Sequence, residues 1–417
     1  MTKAERRLAS RKRGLRTMVL GTVFSAVGAY LFQVLGGRVL GTDGFAPVSI
    51  VWTLFFLGFT IVLIPIEQLA IRRLTLGMGD LTVLRKAAPT ILAAIVALIV
   101  STWLFTAFNL DNTLDGNSTY LVQIPLLFVG YTVFAIGRGV LAGQRRFHAY
   151  GLVVGGESMG RLLIAVAALA ISQTPVAMVW AMVLAPIGVL AVRPFRRSAE
   201  PRTATTPGDE SDRRFLGGFL VAQATSQTVL AAGPLVVASL GGTSAEISIF
   251  FATFTLFRGP LTASYNLVAR ALPEFTRLAA AGERSVLRSW GLRISGITAA
   301  TAAVGALVAS FVGPLIVAAL FGAEFEPSSI IAVQAVVGVV AAMGILFLTQ
   351  ILVAQARTTE LAAVWMVGLL AAAATIWLLG GNPMERVGWG FIAGHAVALT
   401  GLTGAVLASR DKTQELA

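Results

Sequence analysis

The chain has no cysteine, only two histidines and few charged side chains for its length. The lack of cysteine excludes disulfides, thiol nucleophiles and thiolate metal sites. His148 and His395 cannot complete a zinc site by themselves, because even catalytic zinc takes three protein ligands. Glycine-rich phosphate loops of the nucleotide-binding kinds are also missing. We therefore expect no metal, no cofactor and no catalytic residue, and a protein that is not an enzyme.

The low content of charged residues indicates a membrane protein. Only 12% of its 417 residues are charged and 56% are hydrophobic, whereas a soluble domain carries about 25% charged residues. The apolar residues fall into runs of roughly 20, the length of helix needed to cross about 30 Å of hydrocarbon. Twelve such spans are predicted, at residues 17–37, 47–69, 88–108, 119–141, 152–172, 176–193, 216–239, 246–268, 291–313, 328–353, 360–380 and 387–408.

The basic residues fix the predicted orientation. With the N-terminus inside, the connections on the outer side carry only Arg38 and Arg386, and almost all other lysines and arginines face the cytoplasm. This bias follows the positive-inside rule. It predicts a multi-pass protein of the cytoplasmic membrane with both termini cytoplasmic. The net charge of +12 is then topology signal and attraction to membrane lipids, which excludes a nucleic-acid partner.

A polar stretch rich in Pro, Thr and charge divides the chain. Residues 196–214 are predicted to form a flexible cytoplasmic linker between an N-terminal lobe, 1–195, and a C-terminal lobe, 215–417, of six spans each. Leu40-Gly41 and Leu240-Gly241 stand at the same place in the two halves. We expect an all-α integral membrane protein with twelve transmembrane helices in two six-helix lobes of parallel pseudo-twofold topology around a central cleft.

Two stretches resemble a known family. The first runs from Gly37 to Phe45 (GRVLGTDGF) and is followed by Ala46 where that family usually has glycine; the second runs from Pro314 to Phe325 (PLIVAALFGAEF). Together with the topology, they resemble the polysaccharide exporter/flippase family, the oligosaccharide-lipid branch of the multidrug/oligosaccharidyl-lipid/polysaccharide (MOP) superfamily.

This resemblance implies a substrate and partners. It implies a transporter that flips or exports an anionic lipid-linked oligosaccharide or polysaccharide precursor across the cytoplasmic membrane by alternating access. The substrate would be an isoprenoid diphosphate carrying a glycan. Glycosyltransferases or a polymerase of the same pathway would be its partners in the cell envelope.

Arginines within spans are the candidate substrate-binding residues, because an intramembrane charge marks a functional site by default. Arg258 lies near the middle of its span, and its guanidinium suits a diphosphate or an acidic sugar; the alternative is a structural pairing with a carbonyl or a carboxylate. Arg161 follows Glu157 by four residues, so the two either neutralise each other or line the cleft. Arg138 either snorkels to the surface or reaches a phosphate.

Titratable groups and helix-breaking residues are the other candidates. Glu67, Glu157 and His395 are candidates for ion coupling, against the alternatives that Glu67 pairs with Arg72 or Arg73 and that His395 is a satisfied interhelical partner. The predicted hinges are Pro65, Gly259 and Pro260, and the sequence also marks Pro125, Pro186 and Pro234 as bending points.

Other functions stay open at this level. A cation-coupled multidrug antiporter of the same superfamily needs acidic groups deep in the cleft, and only Glu67 and Glu157 fall in the interior of spans, against three arginines, Arg138, Arg161 and Arg258. A peptidoglycan lipid-precursor flippase would typically have fourteen spans. A membrane glycosyltransferase or polymerase would need large acidic or metal-binding loops, which the short connections here do not provide.

Overall fold

A computed structural model of the chain describes residues 3–75, 82–144, 146–195 and 210–408. These residues are almost entirely helical and contain no β-strand. The chain divides into two compact units, Met1–Pro207 and Gly208–Ala417. The division falls within the predicted linker, most of which lies outside the described residues. A helix begins already at Glu210, so it covers the last five residues of the predicted linker.

Fifteen α-helices are present in the described residues. They are α1 (Lys3–Gly58), α2 (Ile64–Thr75), α3 (Thr82–Phe108), α4 (Leu110–Thr113), α5 (Tyr120–Gly143), α6 (Phe147–Ile171), α7 (Pro175–Leu184), α8 (Glu210–Ala231), α9 (Gly233–Ser239), α10 (Ser244–Phe257), α11 (Gly259–Ala280), α12 (Arg284–Phe321), α13 (Ser329–Ala354), α14 (Thr358–Leu378) and α15 (Pro383–Leu407). A π-helical segment, Phe59–Leu63, joins α1 to α2, and 3₁₀ turns cover Ala185–Val192 and Ala323–Phe325.

These helices supply the predicted spans. Nine segments of the described chain are long and apolar enough to cross a membrane, and the bent pair α8–α9 makes a tenth. One of the nine, Thr17–Ile71, is 55 residues long, enough for the two spans predicted there. α10 and the first part of α11 cover the predicted span 246–268. The protein is thus an all-α, multi-pass membrane protein with six spans in each half.

Glycines at equivalent places separate the first two spans of each half. Gly41 has φ 69° and ψ 179° inside an otherwise helical segment, and Gly241 has φ 82°. A side chain disfavours such backbone angles, so glycine is the residue that fits. The sequence likeness of Leu40-Gly41 and Leu240-Gly241 therefore reflects the same turn used twice.

The second span of each half is also interrupted at one place. In the N-terminal half the π-helical segment Phe59–Leu63 precedes Pro65. In the C-terminal half α10 ends at Phe257, and α11 begins at Gly259 with Pro260 in its first turn. Proline removes one helical hydrogen bond, and π segments mark such irregularities. The residues predicted as hinges thus lie at breaks in the helices; whether the breaks move stays a prediction.

The largest bend of the C-terminal unit lies elsewhere. α8 and α9 meet at 62° around Ala232, immediately before Gly233 and Pro234. Pro234 lacks the amide hydrogen that would bond to the carbonyl four residues earlier, at Leu230. The bend therefore leaves one buried carbonyl in need of another donor.

Glycines bring the two main helices of the N-terminal unit together. A Cβ atom on Gly21 of α1 would lie 2.1 Å from the carbonyl oxygen of Gly151 in α6. Small residues allow helices in a membrane to approach closely and to pack by van der Waals contact. This contact fixes α6, with its charged residues, against the aromatic side chains of α1.

Candidate functional site

Arg161 and Glu157 form an ion pair inside the N-terminal unit. Nη1 of Arg161 lies 3.4 Å from Oε1 of Glu157, one helical turn away on α6. Arg161 is only 3% exposed and Glu157 8%. The Glu-before-Arg spacing that suggested mutual neutralisation in the sequence is therefore seen in the structure.

Neighbouring side chains add hydrogen bonds to this pair. The Tyr131 hydroxyl donates to Glu157 and accepts from Nη1 of Arg161 at 3.2 Å. The Ser158 hydroxyl donates to Oε2 of Glu157 at 2.9 Å and accepts from Nη2 of Arg161 at 3.4 Å. The guanidinium also lies 4.7 Å from the ring centroid of Trp52, within the range of a cation–π interaction.

Arg138 and Glu67 form a second pair with the same construction. Nη2 of Arg138 lies 3.1 Å from Oε1 of Glu67. The Tyr150 hydroxyl accepts from Nη2 of Arg138 at 2.9 Å and donates to Oε1 of Glu67 at 3.3 Å. The Arg138 side chain is 17% exposed, so this triangle is less enclosed than the first.

The two Arg–Tyr–Glu triangles are interlocked across α5 and α6. α5 supplies Tyr131 to the first triangle and Arg138 to the second, while α6 supplies the pair of the first triangle and Tyr150 to the second. The ring of Phe134 connects them: it lies 5.6 Å from Tyr131 and 5.3 Å from the Arg138 guanidinium. The network holds two carboxylates and two guanidinium groups, so its net charge is zero.

Arg258 does something different in the C-terminal unit. It is the residue between α10 and α11, and its Nη2 donates to the Leu230 carbonyl. That carbonyl is the one deprived of its helical donor by Pro234. The guanidinium therefore completes the broken helix α8–α9, which is the structural alternative foreseen for Arg258.

His395 lines a polar cavity of the same unit. Its Nδ1 lies 2.8 Å from the Phe391 carbonyl, and the residue is 0% exposed. The cavity measures about 80 Å³. Its polar lining comes from Gln223, Ser226, Gln227, Thr349 and His395, and its apolar lining includes Leu230, Leu261, Ile345 and Trp365.

The structure thus distributes the sequence candidates over two sites. It brings Arg138, Arg161, Glu67 and Glu157 into one network in the N-terminal unit, and it places Arg258 and His395 in the C-terminal unit. Sequence reasoning missed Tyr131, Tyr150 and Gln227. Nothing in the local pattern marks a tyrosine within an apolar span as the partner of an arginine on another helix.

Comparisons with known proteins identify the fold. No family model matches the sequence. An uncharacterized protein of Mycobacterium bovis is 26% identical over 329 residues, covering 74% of this chain and 72% of the relative. A second, from Mycobacterium tuberculosis H37Rv, is 27% identical over 265 residues, covering 61% of this chain and 54% of its own length.

Solved structures are similar over nearly the whole chain. The eukaryotic MATE transporter AtDTX14 matches with a TM-score of 0.60 and 14% identity, covering 97% of both chains. A mutant of the Vibrio cholerae MATE transporter VcmN matches with a TM-score of 0.56 and 16% identity, covering 96% of this chain and 98% of the other. An inward-facing multidrug resistance MATE family transporter of the MOP superfamily gives 0.59 and 14%, over 91% and 96%. The protein has the MATE transporter fold.

Proposed function

We propose that this protein is a transporter of the MOP superfamily that moves an anionic lipid-linked glycan across the cytoplasmic membrane by alternating access. The fold supports the superfamily, because its structural neighbours are MATE transporters. The bias of basic residues supports the orientation with both termini cytoplasmic. Glycosyltransferases or a polymerase that would make and extend the glycan are part of the proposal.

One observation carries the choice of an anionic substrate. Glu67 and Glu157, the two carboxylates in the interior of the predicted spans, are each bound to an arginine of the same unit. Neither offers a free negative charge to a cationic drug or a coupling cation. Arg258, a third arginine in the interior of a span, brings a guanidinium whose shape and charge suit the phosphate groups of an anionic substrate.

A multidrug antiporter is the second candidate. One of the similar solved structures is a multidrug resistance MATE family transporter, and the Glu67 triangle is partly exposed. If Arg138 released Glu67 during transport, the carboxylate would become a site for a proton or a cation. This reading needs the ion pair to open, whereas the anionic reading does not.

The two candidates are separated by a transport assay in proteoliposomes. We expect the purified protein to translocate a fluorescent isoprenyl diphosphate, measured by protection of the label from a membrane-impermeant reductant, and not to accumulate ethidium under a proton or sodium gradient. Replacing Arg258 with Ala should slow translocation about tenfold or more, the effect of losing one charge-assisted interaction, and Arg258→Lys should retain part of it.

Arg277→Ala is the matched control. Arg277 lies on α11, like the residues after Arg258, but its side chain is 63% exposed and pairs with Glu274 at the surface, so its loss should leave translocation unchanged. Ethidium transport without diphosphate translocation would replace the anionic proposal with the antiporter. Equal rates for wild type and Arg258→Ala would remove Arg258 from the substrate path.

A further inference from the structure

The cavity around His395 contains buried hydrogen-bonding groups that the helices do not use. Gln223, Ser226 and Thr349 at its margin are half-buried, whereas Gln227 is 6% exposed and His395 0%. Nε2 of His395 and Oε1 of Gln227 have no hydrogen-bond partner among the described residues. Buried polar side-chain atoms are nearly always paired with protein groups or water, so two such atoms lining one cavity offer hydrogen bonds to whatever enters it.

Both orphaned atoms are acceptors. Nδ1 of His395 faces the Phe391 carbonyl at 2.8 Å, and a carbonyl can only accept, so the neutral imidazole carries its hydrogen on Nδ1. Nε2 then presents a lone pair. The amide oxygen of Gln227 is likewise an acceptor. A ligand that binds in this cavity must therefore bring hydrogen-bond donors.

The lining excludes four classes of ligand. Among the described residues no aspartate or glutamate lines the cavity, so no carboxylate balances a bound metal ion. A quaternary ammonium group could stack on Trp365, but it has no N–H to donate to the two acceptors. An anion would meet two lone pairs. A purely apolar group would leave both buried acceptors unpaired, which costs affinity. A neutral group with several hydroxyl donors fits the remaining requirements.

On the basis of the proposed function, we infer that this cavity binds the hydroxyl-bearing edge of a sugar of the transported glycan. A volume of about 80 Å³ has room for a few water-sized groups and not for a whole oligosaccharide. The indole of Trp365 and the side chain of Leu230 supply an apolar wall for the C–H face of the ring. The Leu230 carbonyl accepts from Arg258, which places the cavity next to the cation proposed to attract the diphosphate.

The test compares two fluorescent lipids in proteoliposomes. One is an isoprenyl diphosphate and the other is the same lipid carrying one neutral hexose or N-acetylhexosamine. We expect Gln227→Leu and His395→Phe to slow the glycosylated lipid about tenfold, as expected for one lost hydrogen bond, and to leave the sugar-free lipid unchanged. Gln223→Ala gives the same test at the half-buried margin of the cavity, and it leaves the buried side chains of Gln227 and His395 unchanged.

Gln334→Leu is the matched control. Gln334 is also a fully buried glutamine of the C-terminal unit, but its Nε2 donates to the Glu385 carbonyl outside the cavity. This variant should slow both lipids equally or neither. Equal losses for both lipids in Gln227→Leu, or no loss for either, would overturn the sugar site while leaving the proposed transporter in place.

A binding measurement covers the case in which the wild type moves neither lipid, which would refute the proposed function. Soluble neutral methyl glycosides are titrated into the detergent-solubilised protein, and Trp365 fluorescence is isolated by subtracting the signal of Trp365→Phe. A saturable change that disappears in Gln227→Leu supports the sugar site. The absence of any such change across hexosides and N-acetylhexosaminides refutes it.

Discussion

Arginines of the two units are held in different ways. In the N-terminal unit, Arg138 and Arg161 each contact a glutamate and a tyrosine. In the C-terminal unit, Arg258 and Arg386 donate to the backbone carbonyls of Leu230 and Ile376, whereas Arg357 pairs with Glu360. A carboxylate partner brings a compensating negative charge to the cation, and a carbonyl partner brings only a dipole.

This difference grows from one repeated architecture. Gly41 and Gly241 make the same turn with positive φ. If the halves are aligned on these glycines, Arg258 falls opposite Gly58, and in both halves the regular helix is interrupted right after that position. The repeat thus conserves the break in the backbone, while the side chain at the break differs. Arg258 therefore stands at a position where the N-terminal unit has no side chain to offer, because its counterpart there is Gly58.

The largest effect is expected when Glu157 alone is removed. Glu157→Leu would leave the Arg161 guanidinium buried without its carboxylate, and the loss of one partner of a buried pair costs about 3–5 kcal/mol. We expect a matching drop in the free energy of unfolding, measured by denaturant titration in detergent. The double variant Glu157→Leu/Arg161→Leu should recover most of the loss, because no charge is then stranded.

An exposed pair supplies the control for this experiment. Glu274 and Arg277 have side chains that are 56% and 63% exposed, so the same kind of substitution, Glu274→Leu, should leave the unfolding curve unchanged. A stable Glu157→Leu variant would show that Arg161 can reach water or lipid headgroups, and the Glu157–Arg161 pair would no longer count as closed off from solvent.

The next effect concerns Arg258 and the bend that it completes. Arg258→Ala removes the donor to Leu230 and should cost about 1.5–3 kcal/mol, the value of a hydrogen bond to a charged group. In a Pro234→Ala background the restored amide hydrogen can serve the same carbonyl, so the cost of Arg258→Ala should become smaller. A double-mutant cycle of unfolding free energies measures this coupling, and purely additive effects would contradict it.

Contacts between residues that are close in sequence could be predicted, and contacts between residues that are distant in sequence could not. Hydropathy located the spans, and Pro234 was among the predicted bending points. The Glu157–Arg161 pair was predictable because four residues make one helical turn. For Glu67 the sequence offered Arg72 or Arg73 as partners, whose side chains lie outside the described residues, and the structure adds Arg138 as a partner. A contact over 71 positions, between side chains on different helices, depends on packing that no local pattern encodes.

The C-terminal site was predictable in part for the same reason. The depth of Arg258 in its span and the absence of a helical donor for Leu230 can both be read from the sequence. Their meeting requires α8 and α10 to be neighbours, which sequence alone does not show. The orphaned acceptors of His395 and Gln227 are likewise visible only once α8 and α15 are placed in space.

Substitutions of Gly41 and Gly241 should have a smaller effect on the free energy of unfolding, and they test whether the two halves depend on these glycines equally. Gly41→Ala and Gly241→Ala force a side chain into a left-handed backbone region, which costs about 1–2 kcal/mol per residue. Similar losses of unfolding free energy in both variants would confirm that the turn has the same role in both halves. Gly156→Ala is the control, because it lies in α6 with nothing within 4 Å of the added Cβ atom and should be neutral or slightly stabilising.

The smallest expected effect distinguishes the two triangles from each other. Tyr150→Phe removes one hydroxyl from the partly exposed triangle and leaves the Arg138–Glu67 contact of 3.1 Å in place, so it should cost about 0.5–1.5 kcal/mol. Tyr131→Phe removes the hydroxyl that bridges Arg161 and Glu157, which are both more deeply buried. This variant should cost more, because Arg161 and Glu157 cannot replace the lost hydrogen bonds with bonds to water. Denaturant titration of both variants gives the ordering. A larger loss for Tyr150→Phe would mean that the Arg138 triangle, despite its exposed side, is the one that holds the N-terminal helices together, and that its glutamate is not available to open during transport.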